Sequence, residues 1–116
     1  MTTGIDWQQS ITLANNSEDV AKELLNMLIS ELPTNLQDIT HAKTSGDNTT
    51  LLHQVHKLHG ACCYCGVPTL RNSLNQLETL LKSEQEDNEQ VAQLTEQVEQ
   101  NIQVVLTEYA QLELSS

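Results

Sequence analysis

Three histidines recur at every third position, His53, His56 and His59, and three cysteines follow closely, Cys62, Cys63 and Cys65. Two chemistries suit such a run. Imidazole is a nucleophile available near neutral pH, so one histidine could carry a covalently bound group. Imidazole and thiolate also bind soft divalent ions, and His56, His59 and Cys63 could form a chelate. A helical wheel at 100° per residue helps to separate the two. With Leu51 at zero, Leu51, Val55, Leu58, Cys62 and Cys65 fall within about 40° of one direction and mark a core face. His59 and Cys63 lie at about 80° and 120°, His56 at about 140°, Gly60 at about 180° and His53 at about 200°. A single helix offers poor tetrahedral geometry for a metal, and core-facing cysteines behave as small hydrophobes. A redox role for the cysteines lacks a thiol-activating motif.

His56 is thus off the core, with Gly60 beside it one turn on. A glycine inside a helix costs about 1 kcal/mol relative to alanine, so its presence asks for a reason. Without a side chain at 60, another protein surface can approach the imidazole of His56 closely. Taken alone, His56 would read as an ordinary exposed histidine. Together with Gly60, Lys57 and His59 around it, the arrangement suits a phosphoryl carrier. Such a carrier needs an exposed, rigidly held nucleophile with positive charge nearby to favour the phosphoimidazole. It needs no catalytic constellation of its own if Mg²⁺ and the charge-stabilising groups come from a partner. The sequence offers no glycine-rich nucleotide loop and no aspartate-based metal cluster. No cofactor of its own is expected, and no autonomous kinase activity.

The elements that would hold these residues are all helices. Phe is absent, Trp and Tyr are scarce, and Gln, Leu and Glu abound, a composition poor in sheet formers. A short first helix is expected over about 6–14, capped by Asp6. Segment two runs from Ser17 to Lys43, with Val20, Leu24, Met27, Leu28, Leu32, Leu36 and Ile39 as its buried stripe and Pro33 bending or dividing it. Gly46 and Asp47 read as a stop and a cap. Segment three covers 48–65, and Gly66-Val67-Pro68 breaks the chain before segment four, which buries Leu70, Leu74, Leu77 and Leu81. Asp87 with Gln90 resembles a capping box for segment five. There Val91, Leu94, Val98, Ile102, Val105, Tyr109 and Leu112 form a near-heptad stripe. Short connections imply antiparallel neighbours. The expected fold is all-α: one domain over 1–116, an up-and-down four-helix bundle with the first helix laid across one end.

Net charge is −11, which argues against nucleic acid and anionic membrane as partners. The charge is unevenly spread. Residues 1–42 sum to −5 and 84–116 to −8, whereas 43–83 carry Lys43, Lys57, Arg71 and Lys82 against Asp47 and Glu78 for +2. An electropositive band on an acidic body would steer a partner with an acidic pocket. No apolar run approaches the roughly 18 residues of a membrane span. The absence of a secretory signal and the clustered cysteines fit a cytoplasmic location, free or as part of a membrane-anchored protein.

The run His56-Lys57-Leu58-His59-Gly60-Ala61, followed by Gly66, resembles the phosphoacceptor motif of histidine phosphotransfer domains, His-x-Leu-Lys-Gly-Ser/Ala with a small residue further on. The longer stretch HKLHGACCYCGVP looks like the carboxy-terminal phosphotransfer module of BarA-type hybrid sensor kinases. The resemblance implies that His56 accepts a phosphoryl group from a receiver-domain aspartate and passes it to the receiver of a response regulator. It implies further that a side chain one helix over hydrogen-bonds the acceptor ring, and the matching position is Glu78. On its own wheel Glu78 lies beside the leucine stripe, on the flank with Arg71. The family's lysine three residues after the acceptor is His59 here, which makes the charge at that position depend on pH. A purely structural helical adaptor would explain the fold but not Gly60.

Overall fold

The computed structural model describes residues 4–83 and 87–114. It contains α1 (Trp7–Leu13), α2 (Glu18–Ser45), α3 (Asn48–Cys62), α4 (Pro68–Lys82) and α5 (Asn88–Leu114), and no strand among those residues. Each start is set by local chemistry. The side chains of Asp6, Ser17, Asp47 and Asp87 accept from the backbone N–H three residues on, at 3.0, 3.3, 3.1 and 3.1 Å, satisfying donors that the helix itself cannot. Gly46 ends α2 at φ 70°, the left-handed conformation that glycine adopts without strain. Pro68 opens α4, where its missing N–H costs nothing.

The four long helices pack in a ring, α2 against α3, α3 against α4, α4 against α5, and α5 back against α2. One core fills the ring, built from Leu25, Leu28, Leu32 and Ile39 of α2, Leu51, Val55 and Leu58 of α3, Leu70, Leu74 and Leu77 of α4, and Val98, Ile102 and Val105 of α5. The fold is the expected all-α bundle. α1 closes one end: the Asp6 N–H donates to the Gly66 carbonyl at 2.6 Å, and the Gly66 N–H donates to Ser10 Oγ at 2.8 Å. A Cβ on Gly66 would stand 2.1 Å from the Asp6 carbonyl oxygen and 2.7 Å from the Ser10 nitrogen. Glycine at 66 is therefore what lets α1 lie against the α3–α4 turn.

Three expectations need correction. Segment three ends at Cys62 rather than Cys65, because the chain turns through Cys63–Gly66 ahead of Pro68. The buried stripe of α2 is Ala21, Leu25, Leu28, Leu32, Ile39 and Ala42. Val20 and Met27 are instead exposed, at 43% and 64%. The two small alanines, ambiguous by type, turn the stripe by one residue. Of the two readings of Pro33, division does not hold: α2 continues to Ser45 with Pro33 on its exposed side, where solvent can reach the carbonyl that proline leaves without an N–H. In α4 and α5, Leu81, Leu94 and Tyr109 are half-buried at the margins of the core, and Leu112 is 48% exposed.

Candidate functional site

Burying Leu51, Val55, Leu58 and Cys62 fixes the rotation of α3, and His56 consequently projects outward with its side chain 70% exposed. On α4 the burial of Leu70, Leu74 and Leu77 carries the next residue, Glu78, into the seam with α3, where it is only 6% exposed. A carboxylate in that position must be satisfied by several donors. Glu78 Oε2 stands 2.7 Å from His56 Nδ1 and 2.7 Å from Lys82 Nζ, and Oε1 stands 2.9 Å from His59 Nδ1. The Lys82 ammonium, joined by the two imidazoles and opposed by burial, holds the Glu78 carboxyl at about 2, below its ordinary 4.5.

An ionised carboxylate only accepts hydrogen bonds. Both imidazoles therefore donate from Nδ1, and the neutral ring of His56 keeps its lone pair on Nε2. This is the tautomer and the exposure that a nucleophilic imidazole requires. His59 shares the carboxylate but is only 24% exposed, so the two histidines differ in access. Glu78 is not the plain surface carboxylate that its residue type alone would suggest.

The surroundings of the ring are open. A Cβ on Gly60 would meet no atom within 4 Å, so nothing in the fold itself demands glycine there. On the other side, Thr49, Leu52, His53, His56 and Lys82 line a groove of about 400 Å³. Thr49 and Leu52 are groove residues that the sequence reading did not single out. Their spacing of seven and four residues from His56 places them on its face and could have found them.

The other sequence candidates divide. Lys57 is exposed, about 100° round α3 from His56 on the side away from α4. Arg71 stands two turns before Glu78, about 10 Å along α4, close enough to Cys62 to favour its thiolate. Lys43 forms an ion pair with Glu99 at 2.6 Å in the α2–α5 seam, across the bundle from the α3–α4 seam. The electropositive band is therefore not one face, because the ring of helices puts Lys43 on the opposite side.

The proposed chelate of His56, His59 and Cys63 does not come together. Both rings turn Nδ1 to Glu78, and the Cys63 thiol donates to the His59 carbonyl of its own helix at 3.4 Å. Among the described residues no group of three or more His, Cys, Asp or Glu side chains is placed to hold a metal ion. Burial pushes the Cys62 thiol well up and that of Cys65 up to about 11. Both remain protonated thiols at neutral pH, and they act as core packing.

Comparison with known proteins agrees with this geometry. The family model described as Hpt domain matches residues 23–112. The sensor histidine kinase GacS of Pseudomonas protegens is 40% identical over 92 residues, which is 79% of this chain and 10% of the kinase. The signal transduction histidine-protein kinase BarA of Shigella flexneri is 35% identical over 80 residues, 68% of this chain and 9% of the kinase. The chain thus spans about a tenth of the length of the curated relatives it matches. A crystal structure of the HPT domain from a Shewanella sensor hybrid histidine kinase superposes with a TM-score of 0.88 at 32% identity, covering 97% of this chain and 95% of that one. With the bundle, its exposed histidine and these matches in agreement, the chain belongs to the Hpt domain family.

Proposed function

We propose that this Hpt domain works as a phosphorelay intermediate through His56. The Nε2 lone pair attacks the phosphorus of an aspartyl phosphate on a receiver domain. A P–N bond forms as the aspartyl P–O bond breaks, and the carboxylate of the donor is regenerated. The same steps in reverse pass the group to an aspartate of a second receiver. As the P–N bond forms, positive charge develops on the ring, and the Glu78 carboxylate at Nδ1 stabilises it while fixing the tautomer. Gly60 leaves the approach clear, Lys82 supplies positive charge beside the ring, Lys57 and Arg71 add to the field from farther off, and His59 shares the Glu78 carboxylate.

The observation that carries this reading is the 2.7 Å contact between Glu78 and Nδ1 of a histidine whose side chain is 70% exposed. The natural partners are the receiver of a hybrid sensor kinase and that of a response regulator. Mg²⁺ belongs to the receiver, where it would neutralise charge on the transferring group. The chain itself is a carrier without autonomous kinase activity. Among the described residues no helix is long and apolar enough to cross a membrane. We place the domain in the cytoplasm, where a receiver domain can reach it. The test is transfer of label from a phosphorylated receiver to this chain, compared between wild type and His56→Gln. Label that depends on His56 supports the reading, and label that persists without it overturns the reading.

A further inference from the structure

The cations around His56 are not equivalent. Lys57 projects away from α4, Arg71 lies two turns off toward Cys62, and Lys43 is paired with Glu99 across the bundle. Lys82 differs from all three. Its Nζ contacts the same Glu78 oxygen that receives His56 Nδ1, and its side chain lines the groove that His56 also lines. It remains 57% exposed, so its stem has room to swing.

Resting on the reading of His56 as acceptor, we infer that Lys82 is the residue that binds the phosphoryl group once it is on His56. A dianionic group on Nε2 enters a site that already contains the Glu78 carboxylate, and the two anions repel. An ammonium has three donors and no acceptor, so Lys82 can keep one on Glu78 and turn another to a phosphoryl oxygen. Glu78 then acts on the ring nitrogen and Lys82 on the phosphorus substituents. The groove between His56, His53 and Lys82 provides the space. In the unphosphorylated state Glu78 parks the ammonium beside the site.

The test avoids any partner protein by using phosphoramidate as donor. Its P–N bond breaks, ammonia leaves, and a new P–N bond forms to the imidazole. Phosphohistidine is followed by ³¹P NMR in the wild type, Lys82→Gln, Lys82→Arg and, as a remote control on α2, Lys22→Gln. Lys82→Gln is expected to lower the ratio of phosphorylated to unphosphorylated chain at equilibrium about tenfold, the worth of one charge-assisted hydrogen bond, and to shift the phosphohistidine ³¹P resonance. Lys82→Arg should restore the ratio to within about threefold, and Lys22→Gln should match the wild type. The imidazole ¹⁵N spectrum of unphosphorylated Lys82→Gln should still show the proton on Nδ1. An unchanged ratio and resonance in Lys82→Gln overturns the inference and leaves the acceptor reading standing. A switch of tautomer in that variant also overturns it, because Lys82 would then act only through Glu78. Failure of the wild type to form phosphohistidine overturns the acceptor reading itself.

Discussion

His56 and Glu78 are 22 residues apart in sequence and sit on different helices, yet a carboxylate oxygen of Glu78 lies 2.7 Å from Nδ1 of His56. The contact makes one imidazole nitrogen a fixed donor and leaves the other as the nucleophile. Most of what is expected of this domain follows from that asymmetry.

Glu78→Gln should weaken both stability at neutral pH and transfer. The folded carboxyl titrates at about 2 against an ordinary 4.5, so its contribution is fully present above pH 4.5 and is lost as pH falls toward 2. Allowing for its solvent-exposed partners, that contribution is about 2 kcal/mol. Urea unfolding between pH 2 and 7 should show the wild type exceeding the variant above pH 4.5 and the two converging at the acid end. Phosphoryl transfer by the variant should fall by up to on the order of 100-fold, since the amide oxygen can still accept from Nδ1 but brings no negative charge to the ring as it becomes positive.

Gly60→Leu should do the opposite to stability. The new side chain would project into open space, because a Cβ there meets nothing within 4 Å, and the helix gains up to about 1 kcal/mol. Transfer from a receiver should nevertheless drop by about 100-fold as the approach to His56 is blocked. Thermal unfolding and transfer kinetics on one preparation check both halves. A variant that is more stable and fully active would remove the access argument.

Gly66, the second glycine of the motif, has a different purpose. Gly66→Ala would drive a methyl group into the Asp6 carbonyl and Ser10. A loss of about 2 kcal/mol is expected, concentrated in the docking of α1, and hydrogen exchange should show α1 amides losing protection before those of the core.

Charge reversals should separate by position. Lys57→Glu and Arg71→Glu should slow association with a receiver about tenfold at low salt and flatten its salt dependence. Lys43→Glu should leave association nearly unchanged, because Lys43 faces the opposite seam and is already paired with Glu99. Reversing acids in α5 should also do little. Stopped-flow association across ionic strengths distinguishes these cases, and equal slowing by all of them would mean that only net charge matters.

Local signals were legible in the sequence and long-range ones were not. Asp6, Ser17, Asp47 and Asp87 were readable as caps because a cap bonds three residues away, and all four accept as expected. The core face of α3, and hence the outward turn of His56, follows from periodicity alone. The stripe of α2 was misplaced where alanines compete with Val20 and Met27, because composition does not say which side of a helix a neighbour will cover. The sign of 43–83 was readable, but the ring order of helices that sends Lys43 to the far side is a tertiary property. Glu78 was reachable only through resemblance, and its bond to His59 was not foreseen, since no spacing marks a contact between two helices; the Lys82 contact was also missed, although its four-residue spacing from Glu78 on α4 could have found it.

The most direct measurement uses a receiver domain labelled with ³²P on its aspartate, incubated with this chain and with His56→Gln. Label should move to the wild type, be lost in acid and survive in alkali as a P–N bond does, and be absent from His56→Gln, whose circular dichroism should match the wild type. Label that persists in His56→Gln, or that disappears only with His53→Gln or His59→Gln, would contradict the assignment of His56 as the acceptor.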